Sequence, residues 1–245
     1  MVLYPQSSST PPAGGPPEEP GDPATRWVPW IPYPPLSDAE RVACAEAFQR
    51  AMDSRRSCRH FSDTPVPRAV IEAAIRAAGT APSGANRQPW HFAVIGTPEA
   101  KTTIRVAVEE QERSFYSSNR SELVRAVRPL GTKPKKPFIE TAPWLIAVFA
   151  ERHPGAVAEI EDPRDFHICE SVGIATGLLL AALHHAGLAT LVHDPKPARF
   201  LNRVCRRPEN ERALMLIVVG HAAPDARIPE PALDKKPIEE IASWL

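Results

Sequence analysis

Two periods of apolar residues run along this chain. From Val70 through Ile71, Ala74, Ile75 and Ala78 they return every three or four positions, with Pro67 suited to the first turn and Gly79 behind, which predicts a helix. Ser37-Asp38-Ala39-Glu40 is a capping box opening another helix, to about Met52, and Thr97-Pro98-Glu99 opens a third, to about Phe115. Short apolar runs at 90–95, 144–150, 188–192 and 214–219 read as strands. From about Asp165 to Ala186 the apolar positions go nearly all round a helix, which predicts a buried helix, with a partner subunit as one candidate to cover it. Residues 117–137 are charged and aperiodic and read as a mobile lid. Helices around a modest sheet, without an internal repeat, predict an α+β fold.

Composition changes this picture mainly at the N-terminus. Residues 1–26 hold seven prolines and the Ser7-Ser8-Ser9 run, too little apolar surface to offset the entropy of ordering, so a disordered tail is expected before a domain over 27–245. Trp27, Trp30, Ile31 and Tyr33 then read as an extended arm lying on another surface. Lys+Arg and Asp+Glu both number 29, so no bulk field favours nucleic acid or an anionic membrane. The apolar run 171–193 is long enough for a membrane span but contains three histidines and Gly187, and reads as a buried helix followed by a strand. Four dispersed cysteines (Cys44, Cys58, Cys169, Cys205) and no secretory signal pattern predict reduced thiols in a cytoplasmic protein, with neither a disulfide framework nor a metal knuckle.

The candidate chemistry begins at Arg55-Arg56-Ser57-Cys58-Arg59, where three guanidinium groups and a hydroxyl fall within five residues. Downstream, Pro82-Ser83-Gly84-Ala85 belongs to a small-residue loop ending at Trp90. Together they suggest a site for a phosphate-bearing cofactor, the tail on the arginines and the rings over loop backbone. No Gly-x-Gly-x-x-Gly follows a strand and no Walker-type glycine loop occurs, which disfavours a dinucleotide fold and a P-loop.

These two motifs resemble those of the nitroreductase superfamily, and over most of 27–245 the chain is similar to its iodotyrosine deiodinase branch. The resemblance implies an FMN-binding fold with a central, mostly antiparallel sheet flanked by helices, and an intertwined homodimer with flavin at the two-fold interface. Arg55, Arg56, Ser57 and Arg59 match the segment that holds FMN phosphate and ribityl oxygens. Pro82, Ser83 and Gly84 match the loop over the flavin, and the helix with Leu178, Leu179 and Leu183 matches the dimer helix. Lys235 lies where the family places a basic FMN contact, and Val192, His193 and Asp194 where it meets the flavin ring. Glu112, Tyr116 and Lys136, in a lid at about 112–137, match the group that clamps the ammonium and carboxylate of an amino-acid substrate, and the Ala85 N–H is implied to meet the substrate phenolate. A zwitterion needs both a carboxylate and a cation, which this group supplies.

One position departs from the family pattern. Asp194 stands where deiodinases carry a threonine whose hydroxyl reaches flavin N5 and supports one-electron steps. A protonated Asp194 could donate to N5 or act as a general acid; an ionised one accepts only; a third reading turns it away to cap the turn before Pro195. His184 and His185 read as helix-end groups, His167 and Glu170 as seam or structural residues, and Arg199, Arg203, Arg206 and Arg207 as a solvated helix face. The expectation is an FMN oxidoreductase that reductively dehalogenates a halotyrosine, with Ala85 and Asp194 at the reacting end. The alternatives are a nitroreductase, quinone reductase or other two-electron reductase or oxidase of the same fold using NAD(P)H, and a flavin-binding module without turnover.

Overall fold

The computed structural model describes residue 26, residues 28–30, 33–117, 121–152 and 167–245. All of the expected tail except Arg26, and Trp27 and Ile31 of the expected arm, lie outside the described residues. The chain divides into two compact units, Met1–Cys44 and Ala45–Leu245, the boundary falling inside helix α1 (Asp38–Asp53). In the first unit Trp30 is exposed, and the capping box forms: the Ser37 N–H donates to Glu40 Oε2 at 2.7 Å and the Glu40 N–H to Ser37 Oγ at 3.4 Å.

The second unit is built on four antiparallel strands in the order β1 (Trp90–Ile95), β2 (Trp144–Glu151), β4 (Glu211–Gly220), β3 (Ala189–His193). In β2 and β4 both faces are buried, so these strands read as unbroken apolar runs rather than alternating ones. The period of two sends Leu145, Ala147, Phe149, Leu216 and Val218 to one layer and Ile146, Val148, Ile217 and Val219 to the other. The first layer is covered by α3 (Pro98–Ser117), α5 (Phe138–Thr141) and α7 (Phe200–Val204) through Ile104, Val108, Ile139 and Leu201. The second is covered by α2 (Arg68–Ala78) and α6 (Ile168–His185) through Ile71, Ala74, Val172, Leu179 and Leu183.

The arginine segment is tied to the sheet at Ser57 and Cys58. Ser57 forms a parallel bridge to Thr190 on the outer edge of β3, and the Cys58 N–H donates to the Thr190 carbonyl at 2.9 Å. Beyond it, the Ser62 N–H donates to the His221 carbonyl and the Ala223 N–H to that of His60. Parallel register then brings Arg59 level with Val192.

Two expectations are corrected and one, for α6, is met in part. The stretch 117–137 contains α4 (Ser121–Val127) and a 3₁₀ turn (Arg128–Leu130), with Val124 buried; two turns of helix are too few to show a period. Within the single chain, helix α6 buries one row and leaves Gly173, Ile174, Gly177 and Leu178 as an exposed face opposite it. It has the length and apolarity of a membrane span, yet it packs on the sheet, and Gly187 at φ +78 turns the chain into β3. The arginines around α7 are not one solvated face: Arg207 pairs with buried Glu211, and Arg199 and Arg203 line a cavity.

Candidate active site

A cavity of about 1110 Å³ opens between α3, the segment returning from α4, and the C-terminal end of β3. Its walls include Arg59, Glu112, Tyr116, Lys136, His193 and Asp194, so three predicted groups (clamp, arginine segment and post-helix strand end) meet in one place.

The clamp is set by helical spacing. Glu112 and Tyr116 are four residues apart and share a face of α3. Lys136 Nζ lies 3.0 Å from Glu112 Oε2, with the two side chains only 7% and 18% exposed, and donates also to the Lys133 carbonyl at 2.6 Å. A pair so buried is a strong constraint, because removing one partner leaves the other charge desolvated and uncompensated. The Tyr116 hydroxyl donates to Thr132 Oγ1 at 2.6 Å, and Thr132 donates on to the Val127 carbonyl.

His193 faces this pair, its Nε2 4.0 Å from Glu112 Oε1. Burial, with Lys136 and Arg59 nearby, holds its pKa down to about 4, against the opposite pull of Asp194. The ring is therefore neutral at pH 7. Burial likewise lowers the Arg59 guanidinium from its ordinary value. Asp194, exposed at the cavity's rim, pairs with Lys196 at 2.9 Å.

Val192 also lines the cavity, whereas the other predicted residues lie apart from its walls. Arg55 and Arg56 are half-buried and Ser57 is exposed. Arg56 folds back, donating to the Asp53 and Arg55 carbonyls, while its Nε is buried without a hydrogen-bond partner among the described residues. Lys235 is exposed and donates to the Ala232 and Asp234 carbonyls, capping a local turn rather than reaching the arginines. In the loop Pro82, Ser83, Gly84 and Ala85, the Gln88 N–H donates to Ser83 Oγ, and Ala85, Asn86 and Gln88 adopt φ of 50, 53 and 49. Three non-glycine residues in the left-handed region within four positions store strain of about 1–3 kcal/mol each, a concentration associated with working loops. Ala85 is exposed, and the loop's turn bonds use the N–H groups of Asn86 and Arg87 instead.

Sequence reasoning missed Thr132, Gln111 and the cavity-facing roles of Arg199 and Arg203. Gln111 Nε2 donates 2.8 Å to the Pro197 carbonyl, linking the clamp helix to the Asp194 loop, a contact 86 residues apart in sequence.

The Nitroreductase family profile matches residues 52–221, and the chain belongs to that family. Within it, an iodotyrosine deiodinase of Haliscomenobacter hydrossis is 41% identical over 204 residues, covering 82% of this chain and 91% of that protein. Iodotyrosine deiodinase 1 of Homo sapiens is 38% identical over 206 residues, covering 83% and 70%. Among solved structures, an oxidized iodotyrosine deiodinase bound to FMN and 3-iodo-L-tyrosine superposes with a TM-score of 0.67 at 27% identity, over 78% of this chain and 95% of that one.

Proposed function

We propose that this protein is an FMN-dependent oxidoreductase that reductively dehalogenates a halotyrosine, iodotyrosine first among them. The observation that carries this is the buried Glu112–Lys136 pair in a cavity shared with Tyr116, Arg59 and His193. It supplies opposite charges at hydrogen-bonding distance in a desolvated place, as a zwitterion requires. The deiodinase relatives and the FMN- and iodotyrosine-bound structure support the same substrate class.

The residues fit the cofactor. Arg55, Arg56, Ser57 and Arg59 offer cations and a hydroxyl along β3, and the orphaned Arg56 Nε is a donor lacking an acceptor. Lys235 would join them by releasing its local carbonyls, while Val192, His193 and Asp194 would border the ring. Bound in reduced form, FMN supplies the two electrons that, with a proton, replace carbon–halogen by carbon–hydrogen and release halide. Glu112 takes the ammonium, Lys136 the carboxylate, and Tyr116 closes over them. The Ala85 N–H, in a loop outside the same chain's cavity, would reach the phenolate from a second subunit, as an oxyanion-type donor. The exposed face of α6 is the natural seam of such a homodimer.

A two-electron reductase on another aromatic metabolite is the second reading. It is favoured by Asp194, which pairs with Lys196 at the position where the resemblance would place a threonine hydroxyl. Titrating FMN fluorescence of the flavin-loaded protein with 3-iodotyrosine, tyrosine and a nitroarene separates the two. Dehalogenation predicts quenching by iodotyrosine that Glu112→Gln or Lys136→Gln weakens by about 30-fold or more, the loss of a desolvated charge partner. Response to the nitroarene alone would sink the amino-acid clamp.

A further inference from the structure

Beyond the clamp itself, and resting on that reading, the geometry points to Glu109 as the positioning residue that holds Lys136 in place for it. Glu109 is buried at 9% exposure and does not line the cavity, so it acts through its neighbours rather than on a ligand. One of its oxygens, Oε1, accepts the Lys136 backbone N–H at 2.8 Å in a buried bond. The other, Oε2, accepts from Arg105 Nη1 at 3.2 Å, and Arg105 is itself held by Glu140 at 2.9 Å. Glu109, Glu112 and Tyr116 stand at i, i+3 and i+7 on one face of α3, and each bonds the returning segment: Lys136 N–H, Lys136 Nζ and Thr132 Oγ1 in turn.

The need for such an anchor lies in the sequence Lys133-Pro134-Lys135-Lys136-Pro137. Three lysines crowd five positions, and neither proline has an N–H to donate. Lys133 and Lys135 are exposed, whereas Lys136 is 5% exposed and faces Glu112. The bond from Lys136 N–H to a buried carboxylate holds the backbone at this position, and a slip that moved Pro137 into its place would leave that carboxylate without a donor.

The test uses the full-length, FMN-loaded protein and two ligands, 3-iodo-L-tyrosine and 2-iodophenol, which lacks the zwitterion. Glu109→Ala is expected to weaken iodotyrosine binding by about tenfold and to leave 2-iodophenol within about twofold. Glu109→Gln, which keeps an acceptor for the N–H, should rescue most of the loss. Should the alanine variant fail to fold or load flavin, the volume-matched Glu109→Leu reads the same difference. Equal weakening of both ligands, or no effect on either, overturns the assignment and leaves Glu109 a structural residue at most. If Glu112→Gln abolishes the preference for iodotyrosine while Glu109→Ala keeps it, the positioning role alone fails. If the unsubstituted protein shows no preference for iodotyrosine over 2-iodophenol, the clamp reading fails and this inference with it.

Discussion

His193 is the residue whose chemistry departs furthest from its free state. Its ring is neutral because burial and two cations, Lys136 and Arg59, disfavour a third positive charge, with Asp194 opposing too weakly. The folded pKa of about 4 lies below the ordinary 6.5, so between those values the unfolded chain binds more protons. Stability from this group is therefore fully present above pH 6.5 and is lost as pH falls toward 4. Between pH 7.5 and 5 the loss is on the order of 2 kcal/mol. Thermal melts across that range should show an acid-side decline that His193→Asn flattens; an identical decline in both proteins would place the acid lability elsewhere. Such a residue is hard to find from sequence, where it was one ring contact among three. Its neighbours come from β3, α3 and the arginine segment, and only tertiary structure makes them neighbours.

Among the elements, strands and long helices were legible wherever period and punctuation agreed. The strand at 90–95 has the predicted bounds, and the capping box and Pro67 start their helices as expected. Strand β4 begins three residues earlier than its apolar run, because Glu211 is buried by pairing with Arg207 and so does not announce a strand. Helix α4 escaped for lack of length. The Glu112–Lys136 pairing was legible only through family resemblance, since Glu112 sits in the run Glu109-Glu110-Gln111-Glu112, which alone reads as a solvated helix face. Close approach between elements is a further thing composition does not show. A Cβ at Gly96, just after β1, would come 2.4 Å from Trp144 Cζ3, and that indole is fixed by its Nε1–H donating to the Val66 carbonyl at 2.8 Å. Gly96→Ala should consequently destabilise by about 1–3 kcal/mol, read as a lowered denaturation midpoint at unchanged slope. A midpoint equal to the unsubstituted protein's would mean the indole moves freely.

At the scale of the whole molecule the second unit leaves apolar surface uncovered along α6, where Ile174 and Leu178 are 48% and 39% exposed. At Gly173 and Gly177 an added Cβ would meet nothing within 4 Å, so the helix face is flat and open. Pairing two such faces is the arrangement we propose, and Leu178→Arg should convert the dimer to a monomer in sedimentation velocity and strip its flavin. Dimers that persist with flavin bound would locate the seam elsewhere. The separation of the Ala85 loop from the cavity of its own chain has a genetic corollary. Two inactive variants should complement each other: one with Ala85→Pro, which loses the N–H and cannot hold φ near +50, the other with Lys136→Gln. Unfolded together and reassembled at random, half of the dimers are mixed, and each mixed dimer draws an intact loop and an intact clamp into one of its two sites. About a quarter of the original sites would then return from two dead parents.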